Sequence, residues 1–354
     1  MISKSFVKGN EAVAYGALKA GLVAYFAYPI TPSSEIPETL AKEFGNPAYP
    51  RFKAFLQAAS EIEAINMVIG AAATGERAMT ATSGPGFSLK QEAISFAAGM
   101  EIPLLVVDIN RSGPGLGNLG PEQSDYNQAV KGGGHGDYHP IVLAPNSVQE
   151  MADFPSLGFD LAFQYRNPVL ILADAFLGQC KEDIVFPETE PKDYDVSWAT
   201  RGSEIGKRHI LTSIHFDHDE QEQIERGLQQ KFDRIREKEP RCEAYMTDDA
   251  EVVIVAYGIV SRICKGYVNE ARKRGLRLGL LRPITLFPFP YTAIHLLAER
   301  GTDFLAVELS GGQMVEDVRL GVNGRSSVHF YSRLGGNIPS ESELNERVKM
   351  IMND

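Results

Sequence analysis

Short apolar runs alternate with amphipathic stretches along the first half of the chain, the rhythm of a parallel α/β sheet. Residues 10–20 carry a helical pattern, with Ala12, Val13 and Leu18 among the apolar positions and Gly21 as a stop. Residues 21–27 then read as a short buried strand. Pro29 and Pro32 forbid that strand from continuing and bias Tyr28 and Thr31 away from helical angles. Ser33 and Ser34 offer N-caps to a helix near 35–44, with Glu35 and Glu38 in its first turn. The next helix starts at Ser60, where Ser-Glu-Ile-Glu fits a capping box with Glu63 in third position, and continues to Ala71. Residues 77–82 predict a strand ending in the turn Ser83-Gly84-Pro85-Gly86, and 103–109 and 167–173 are continuously apolar, as buried parallel strands are.

The pattern changes after Phe186. Residues 187–207 are polar and contain prolines, as a linker does, and 218–238 predict an amphipathic helix with Ile224, Leu228, Phe232 and Ile235 on one stripe. A second α/β unit begins near Glu251: strands at 252–258, 276–281 and 304–308, with a helix to Arg274 after the first. The expected division is 1–190, a linker over 191–245, and 246–354.

Composition narrows the function. At 354 residues the chain has room for two domains, and 33 glycines suit a fold with many βα turns. A net charge of −11 argues against nucleic acid or an anionic membrane surface as partner. The first eight residues lack the apolar core of a signal peptide, and no run approaches the ~20 apolar residues of a membrane span; a cytoplasmic protein is expected. Cys180, Cys242 and Cys264 are far apart and form no CxxC pair, so a disulfide framework is not expected and a four-thiolate cluster cannot be built from this chain.

Several stretches carry candidate chemistry. Strand end, rigid turn and helix start meet around the Thr31 hydroxyl, where open α/β sheets place ligands. With Glu63 engaged in the capping box, Glu61 is left free to point into a cleft. The 82–90 stretch is a strand-to-helix turn where backbone can approach a flat ligand, but it lacks the order GxxxxGK[ST], so a Walker A loop is rejected. Residues 115–120 satisfy GxGxxG, yet Pro121 breaks the helix a dinucleotide site requires; a mobile loop over a substrate cleft, with Arg111 at its base to take a carboxylate, fits better. His135 and His139 sit in a glycine-rich loop, and no metal is assigned to them.

Taken together, these residues resemble the alpha subunit of 2-oxoacid:ferredoxin oxidoreductases. The matching stretches are Tyr28-Pro29-Ile30-Thr31-Pro32, Ser60-Glu61-Ile62 through Met67, Thr82-Ser83-Gly84-Pro85-Gly86-Phe87-Ser88-Leu89, Arg111-Ser112-Gly113-Pro114, and Asn167-Pro168-Val169 through Asp174. The resemblance spans nearly the whole chain. It implies a pyrimidine-type thiamine-diphosphate domain with a parallel sheet, followed by a transketolase C-terminal-like α/β domain.

The activity it implies is CoA-dependent oxidative decarboxylation of a 2-oxoacid, with electrons passed singly to ferredoxin through iron–sulfur clusters. No GDG signature is present, so the resemblance implies a beta subunit that supplies the diphosphate and Mg²⁺ site and a [4Fe–4S] cluster, and leaves room for gamma and ferredoxin-like delta subunits. Glu61 matches the glutamate that hydrogen-bonds the aminopyrimidine ring; in a desolvated cleft its pKa is expected to be raised, so that it shares a proton with the ring nitrogen. Thr31 and Arg111 match substrate positions. Tyr28, Pro29, Ile30, Thr82, Ser83, Gly84 and Phe87 fall in cofactor-contacting stretches, and no metal ligand is expected in this chain.

One departure bears on the substrate. Members acting on 2-oxoglutarate often carry Gly-Pro-Ser-Thr-Gly after the arginine, whereas here the run is Gly113-Pro114-Gly115-Leu116-Gly117. With the 123–126 and 131–138 stretches, this is more similar to the branched-chain, 2-oxoisovalerate subtype. Losing the Ser/Thr pair removes hydrogen bonds to a distal carboxylate, and an apolar side chain fits beside Leu116. The alternatives are a 2-oxoglutarate enzyme, a non-catalytic scaffold for a self-sufficient beta subunit, and the nicotinamide dehydrogenase that GxGxxG alone would give.

Overall fold

The computed structural model describes residues 4–186, 190–202 and 208–353. Residues 1–3, 187–189 and 203–207 of the expected linker, and 354 lie outside the described residues. In chain order the elements are β1 (Ser5–Lys8), α1 (Gly9–Lys19), β2 (Ala24–Ala27), α2 (Glu35–Glu43), β3 (Ala54–Gln57), α3 (Glu61–Ala73), β4 (Ala78–Thr82), α4 (Pro85–Gly99) and β5 (Leu105–Asn110). There follow α5 (Tyr126–Val130), β6 (Ile141–Leu143), α6 (Val148–Tyr165), β7 (Val169–Asp174), α7 (Ala175–Gln179), β8 (Lys181–Ile184) and α8 (His218–Lys238). The remainder is β9 (Cys242–Tyr245), β10 (Val252–Val255), α9 (Gly258–Lys273), β11 (Leu278–Pro283), β12 (Thr285–Phe287), α10 (Tyr291–Ala298), β13 (Asp303–Glu308), α11 (Met314–Val322), β14 (Val328–Ser332) and α12 (Glu341–Asn353).

The first large sheet has seven strands in the order β12-β6-β7-β5-β4-β2-β3, all parallel except β12. Every residue of β4, β5 and β7 is buried, which is why their sequences are apolar without alternation. From β2 the chain goes outward to β3, then returns to place β4 on the other side of β2. The gap between β2 and β4 is therefore the topological switch point, the place where a doubly wound sheet opens a crevice at its carboxyl edge. The second sheet has five strands, β14-β13-β10-β11-β9, with β9 antiparallel to β11. Its far side is packed by Ile254, Cys264, Val268, Leu280 and Val307.

Several local features differ from the sequence expectation. Ser33 and Ser34 do not cap α2 through their side chains; Ser33 Oγ donates back to the Ile30 carbonyl at 2.7 Å and closes the turn instead. Ser60 does cap α3, accepting from Glu63 N–H at 3.2 Å, but Glu63 Oε2 reaches the Ala59 N–H (3.1 Å) and not that of Ser60. The helix α6 has no counterpart in the sequence reading because Pro155 interrupts its pattern. It crosses α1 so closely that a Cβ at Gly16 would lie 2.2 Å from the Ala152 carbonyl oxygen. Two strands cross the expected boundaries: β9, inside the expected linker, belongs to the second sheet, and β12, from the second unit, pairs with β6 of the first.

The loops at the carboxyl ends of the two sheets bond directly to one another. Gln123 bonds to the second unit at three atoms: its N–H donates to the Leu309 carbonyl (2.8 Å), Nε2 to that of Tyr257 (3.1 Å), and Oε1 accepts from Leu309 N–H (2.9 Å). Asp174, at the end of β7, caps α7 by accepting from Leu177 N–H at 3.0 Å and reaches across to Ile259 N–H at 3.2 Å, at the start of α9. Burial pushes the Asp174 carboxyl up to about 6 against the pull of these N–H donors. An aspartate in the unfolded chain titrates near ~3.9. Between those values the folded protein holds a proton that the unfolded chain has released, so this group adds stability as pH falls through that window and loses it as pH rises. Asp174→Asn is expected to remove that dependence: relative to the variant, the parent should gain up to about 3 kcal/mol between roughly pH 8 and roughly pH 4, read from urea midpoints.

Candidate active site

Four consecutive strand ends at the switch point deliver the predicted residues: β2 leads to Thr31, β3 to Glu61, β4 to Thr82 and β5 to Arg111. They form two linked pairs. Glu61, the first residue of α3, is only 2% exposed, and its Oε1 accepts from Thr82 Oγ1 at 3.0 Å. Arg111 reaches over the switch point, where Nη1 donates to the Thr31 carbonyl (2.8 Å) and Nη2 to that of Leu116 (3.1 Å). Arg111 Nε is buried without a partner among the described residues. The Thr31–Pro32 peptide is cis.

The turn after β4 is shaped around the carboxylate. A Cβ at Gly86 would stand 2.2 Å from Glu61 Oε1 and 2.3 Å from Thr82 Oγ1, so only glycine lets α4 start this close to the acid. Gly84 takes φ +39° and donates its N–H to Asp108 Oδ1 at 3.2 Å. Ser83 is buried with an unpartnered hydroxyl among the described residues, and Phe87 is fully buried in the core beneath the turn. Tyr28 is 41% exposed and Pro29 is exposed, while Ile30 is half-buried.

Three groups had no assigned role in the sequence. Lys90, fully buried on α4, forms an ion pair with Glu61 Oε2. It sits on the same helical stripe as Phe87, Gln91 and Ile94, all buried, and a lysine among such positions is the signal that marks it. Asp108 on β5 and Asp125 before α5 face one another; burial first, then mutual repulsion, raises Asp108 well above the usual carboxylate range, and burial raises Asp125. Asn110 Nδ2 donates to Asp125. Two buried carboxyls facing one another disfavour each other's charged form.

A cleft of about 850 Å³ opens beside this cluster. Arg111, Leu116, Glu122 and Asp125 line it from the first unit, Gln313 and Leu334 from the second. The 111–121 loop forms one wall and is internally bonded, Ser112 N–H to the Gly120 carbonyl (3.0 Å) and Asn118 N–H to that of Ser112 (3.1 Å). Asn118 Nδ2 ties it to the Gly335 carbonyl at 3.1 Å. The GxGxxG stretch is thus a closed loop whose Gly117 is required because a Cβ there would lie 1.7 Å from the Ser112 carbonyl oxygen; it opens no helix. His139 stacks on Phe287 (4.5 Å between ring centres), and no cluster of three potential metal ligands occurs among the described residues.

A crevice at a switch point, a buried glutamate at a helix start and an arginine over the opening define a cofactor-type site of the doubly wound class. Residues 15–248 match the thiamine diphosphate-binding domain of pyruvate flavodoxin/ferredoxin oxidoreductases, and 250–344 match core domain II of pyruvate:ferredoxin oxidoreductase. The chain is 53% identical to the ketoisovalerate oxidoreductase subunit VorB of Methanothermobacter marburgensis, over 99% of this chain and 98% of that protein. It is 36% identical to the 2-oxoglutarate synthase subunit KorA of Methanothermobacter thermautotrophicus, over 99% of this chain and all of that one. The solved 2-oxoglutarate:ferredoxin oxidoreductase of Magnetococcus marinus superposes with a TM-score of 0.88 at 26% identity, covering 98% of this chain; this chain spans 65% of that one. The chain belongs to the pyruvate flavodoxin/ferredoxin oxidoreductase family.

Proposed function

We propose that this chain is the alpha-type subunit of a 2-oxoacid:ferredoxin oxidoreductase that converts a 2-oxoacid of the 2-oxoisovalerate kind and coenzyme A into acyl-CoA and CO₂, passing the electrons to ferredoxin. The observation that carries the reading is the convergence of Glu61, Thr82, Thr31 and Arg111 on one crevice of a thiamine-type domain. The residues fit that cofactor: Glu61 is a buried acid of the kind that addresses an aminopyrimidine nitrogen, and Gly86 keeps its surroundings free of side chain. When bound, thiamine diphosphate supplies a nucleophilic carbon for the keto group and an electron sink once CO₂ has left.

This chain's residues do the rest. Glu61 holds or releases a proton at the ring nitrogen, and the Thr82 hydroxyl donates to Oε1 until that nitrogen takes its place. Tyr28, Pro29, Ile30, Ser83 and Gly84 border the ring from the turns after β2 and β4. Arg111, which lines the cleft, takes a carboxylate oxygen of the substrate through its guanidinium, and Thr31 holds the keto group. Arg111→Ala is expected to reduce kcat/KM by about 10²-fold, the loss of a charge-assisted hydrogen bond, mostly through KM. Initial-rate measurements over a range of 2-oxoacid concentrations check it.

A partner subunit supplies the diphosphate and Mg²⁺ site and the [4Fe–4S] cluster. Ile62 and Met67 on α3 and Leu89 and Phe96 on α4, each between 38% and 53% exposed, support such a surface beside Glu61. Leu116, 79% exposed at the wall of the cleft, supports a small apolar substrate over a dicarboxylate. No helix among the described residues is long and apolar enough to cross a membrane, and the three cysteines are unpaired, which supports a cytoplasmic setting. The deciding experiment assays the co-purified complex for viologen reduction with 2-oxoisovalerate, 2-oxoglutarate and pyruvate. A kcat/KM highest for 2-oxoisovalerate is expected; preference for 2-oxoglutarate sinks the substrate assignment.

A further inference from the structure

Lys90 is an unusual choice for its position. Its neighbours on the buried stripe of α4, Phe87 and Ile94, are apolar, and its own side chain is completely inaccessible. A methionine would fill the space without desolvating a charge. Both partners of the ammonium belong to one residue: it pairs with Glu61 Oε2 and donates to the Glu61 main-chain carbonyl at 3.3 Å. The ammonium therefore serves Glu61 and nothing else among the described residues.

We propose that Lys90 is a positioning residue that keeps the Glu61 carboxylate charged and locks its orientation, leaving Oε1 as the oxygen that exchanges its Thr82 hydroxyl for the aminopyrimidine nitrogen. The inference rests on the thiamine-dependent reading for that last step, but the linkage between Lys90 and Glu61 does not. The geometry makes the two oxygens unequal. Oε2 is held against a buried cation by charge, with no hydrogen-bond donor among the described residues, whereas Oε1 has a neutral hydroxyl 3.0 Å away as its one donor. Exchanging a hydroxyl for another neutral donor costs little; displacing the ammonium would strand a buried charge. Burial lowers the Lys90 pKa and the Glu61 charge opposes that shift, so each member of the pair sustains the other.

The remaining titratable groups around Glu61 bear on the sign. Glu63 on the same helix is exposed and engaged with the Ala59 N–H. Tyr25 on β2 is fully buried and its pKa is raised by burial, so it stays neutral. Asp108 on β5 feels the Glu61 charge but is itself raised well above the usual range, which spares Glu61 a second full anion. Lys90 is the one cation in contact with the carboxylate among the described residues. Without it, no cation in contact with the carboxylate among the described residues offsets the cost of keeping a buried group charged.

The test uses the assembled complex freed of thiamine diphosphate and Mg²⁺, in parent, Lys90→Met and Lys90→Arg forms. The protonated carboxyl band of Glu61, identified in infrared difference spectra by its absence in Glu61→Gln, is followed against pH. The expected result is a midpoint about one pH unit or more higher in Lys90→Met, a tenfold or greater change in the ratio of charged to neutral acid, restored by Lys90→Arg. The acid limb of the kcat/KM profile of the reloaded complex should move with it. Identical midpoints in the parent and Lys90→Met overturn the assignment. If Lys90→Met fails to assemble, the double variant Glu61→Gln/Lys90→Met decides: recovery of assembly supports action through Glu61, and equal failure reduces Lys90 to a structural prop. An inactive parent complex would count against the oxidoreductase reading, whereas an unmoved Glu61 titration in an active complex counts only against Lys90.

Discussion

Glu61→Gln in the assembled complex is expected to lower turnover by about 10²–10⁴-fold, the range for a lost acid/base group, or about 3–5 kcal/mol of barrier. Burial and geometry together set this expectation. The carboxylate is 2% exposed, held on one side by Thr82 and on the other by Lys90, so glutamine keeps the shape and removes only the proton chemistry. A complication is built into the site, because the variant leaves Lys90 buried without its anion. Breaking a buried pair from one side costs about 3–5 kcal/mol when the remaining charge persists. Burial already lowers the Lys90 pKa, which works against a persistent stranded charge, so the penalty should fall below that range. Thermal melting of the variant therefore belongs beside the kinetics: a large loss of kcat with a small loss of Tm is the expected signature. Near-normal 2-oxoacid-dependent viologen reduction would falsify the role given to Glu61.

Gly86→Ala should set a methyl group directly against the candidate acid. The added carbon would stand 2.2 Å from Glu61 Oε1, 2.3 Å from Thr82 Oγ1 and 2.7 Å from Glu61 Cδ, all on buried side chains. Overpacking of this kind costs about 1–3 kcal/mol of stability. The larger effect is on function, since relief requires turning the carboxylate away from Thr82, and activity should fall about as far as in Glu61→Gln. A control separates the local clash from the general consequence of replacing glycine. Gly227 lies on the exposed side of α8, where an added methyl would meet no described atom within 4 Å, and Gly227→Ala should stabilise by about 0.5–1 kcal/mol. Melting curves and viologen assays on both variants make the comparison.

The parallel sheet was legible because its central strands are apolar on both faces, a signal that survives without any knowledge of partners. The strand ends carrying Thr31, Glu61, Thr82 and Arg111 were legible for a related reason: prolines, glycines and a capping serine punctuate the chain where strands give way to helices. What stayed hidden depended on distance in sequence. Lys90 reads as an ordinary helix lysine until the fold brings Glu61, 29 residues earlier, against it. Asp108 sits in an apolar strand and gains its meaning only from Asp125 across the sheet edge. The helix α6 was missed because Pro155 breaks a pattern that packing against α1 restores. The Arg111 guanidinium donates to the main-chain carbonyls of Thr31 and Leu116, acceptors that no side-chain pattern encodes.

The strand β12 has a consequence for how the chain is made. It closes the β6 edge of the first sheet, yet it is synthesised more than a hundred residues after β7, the last parallel strand of that sheet. While the ribosome works through α8 and the second sheet, β6 presents an unpaired row of N–H and C=O groups, the kind of edge that recruits foreign strands. A gene cut at the boundary near residue 248 would leave that edge open permanently. The natural seam between the two sequence families is thus a poor place to divide the protein, and chimaeras that exchange the second unit must carry β12 with the sheet it completes.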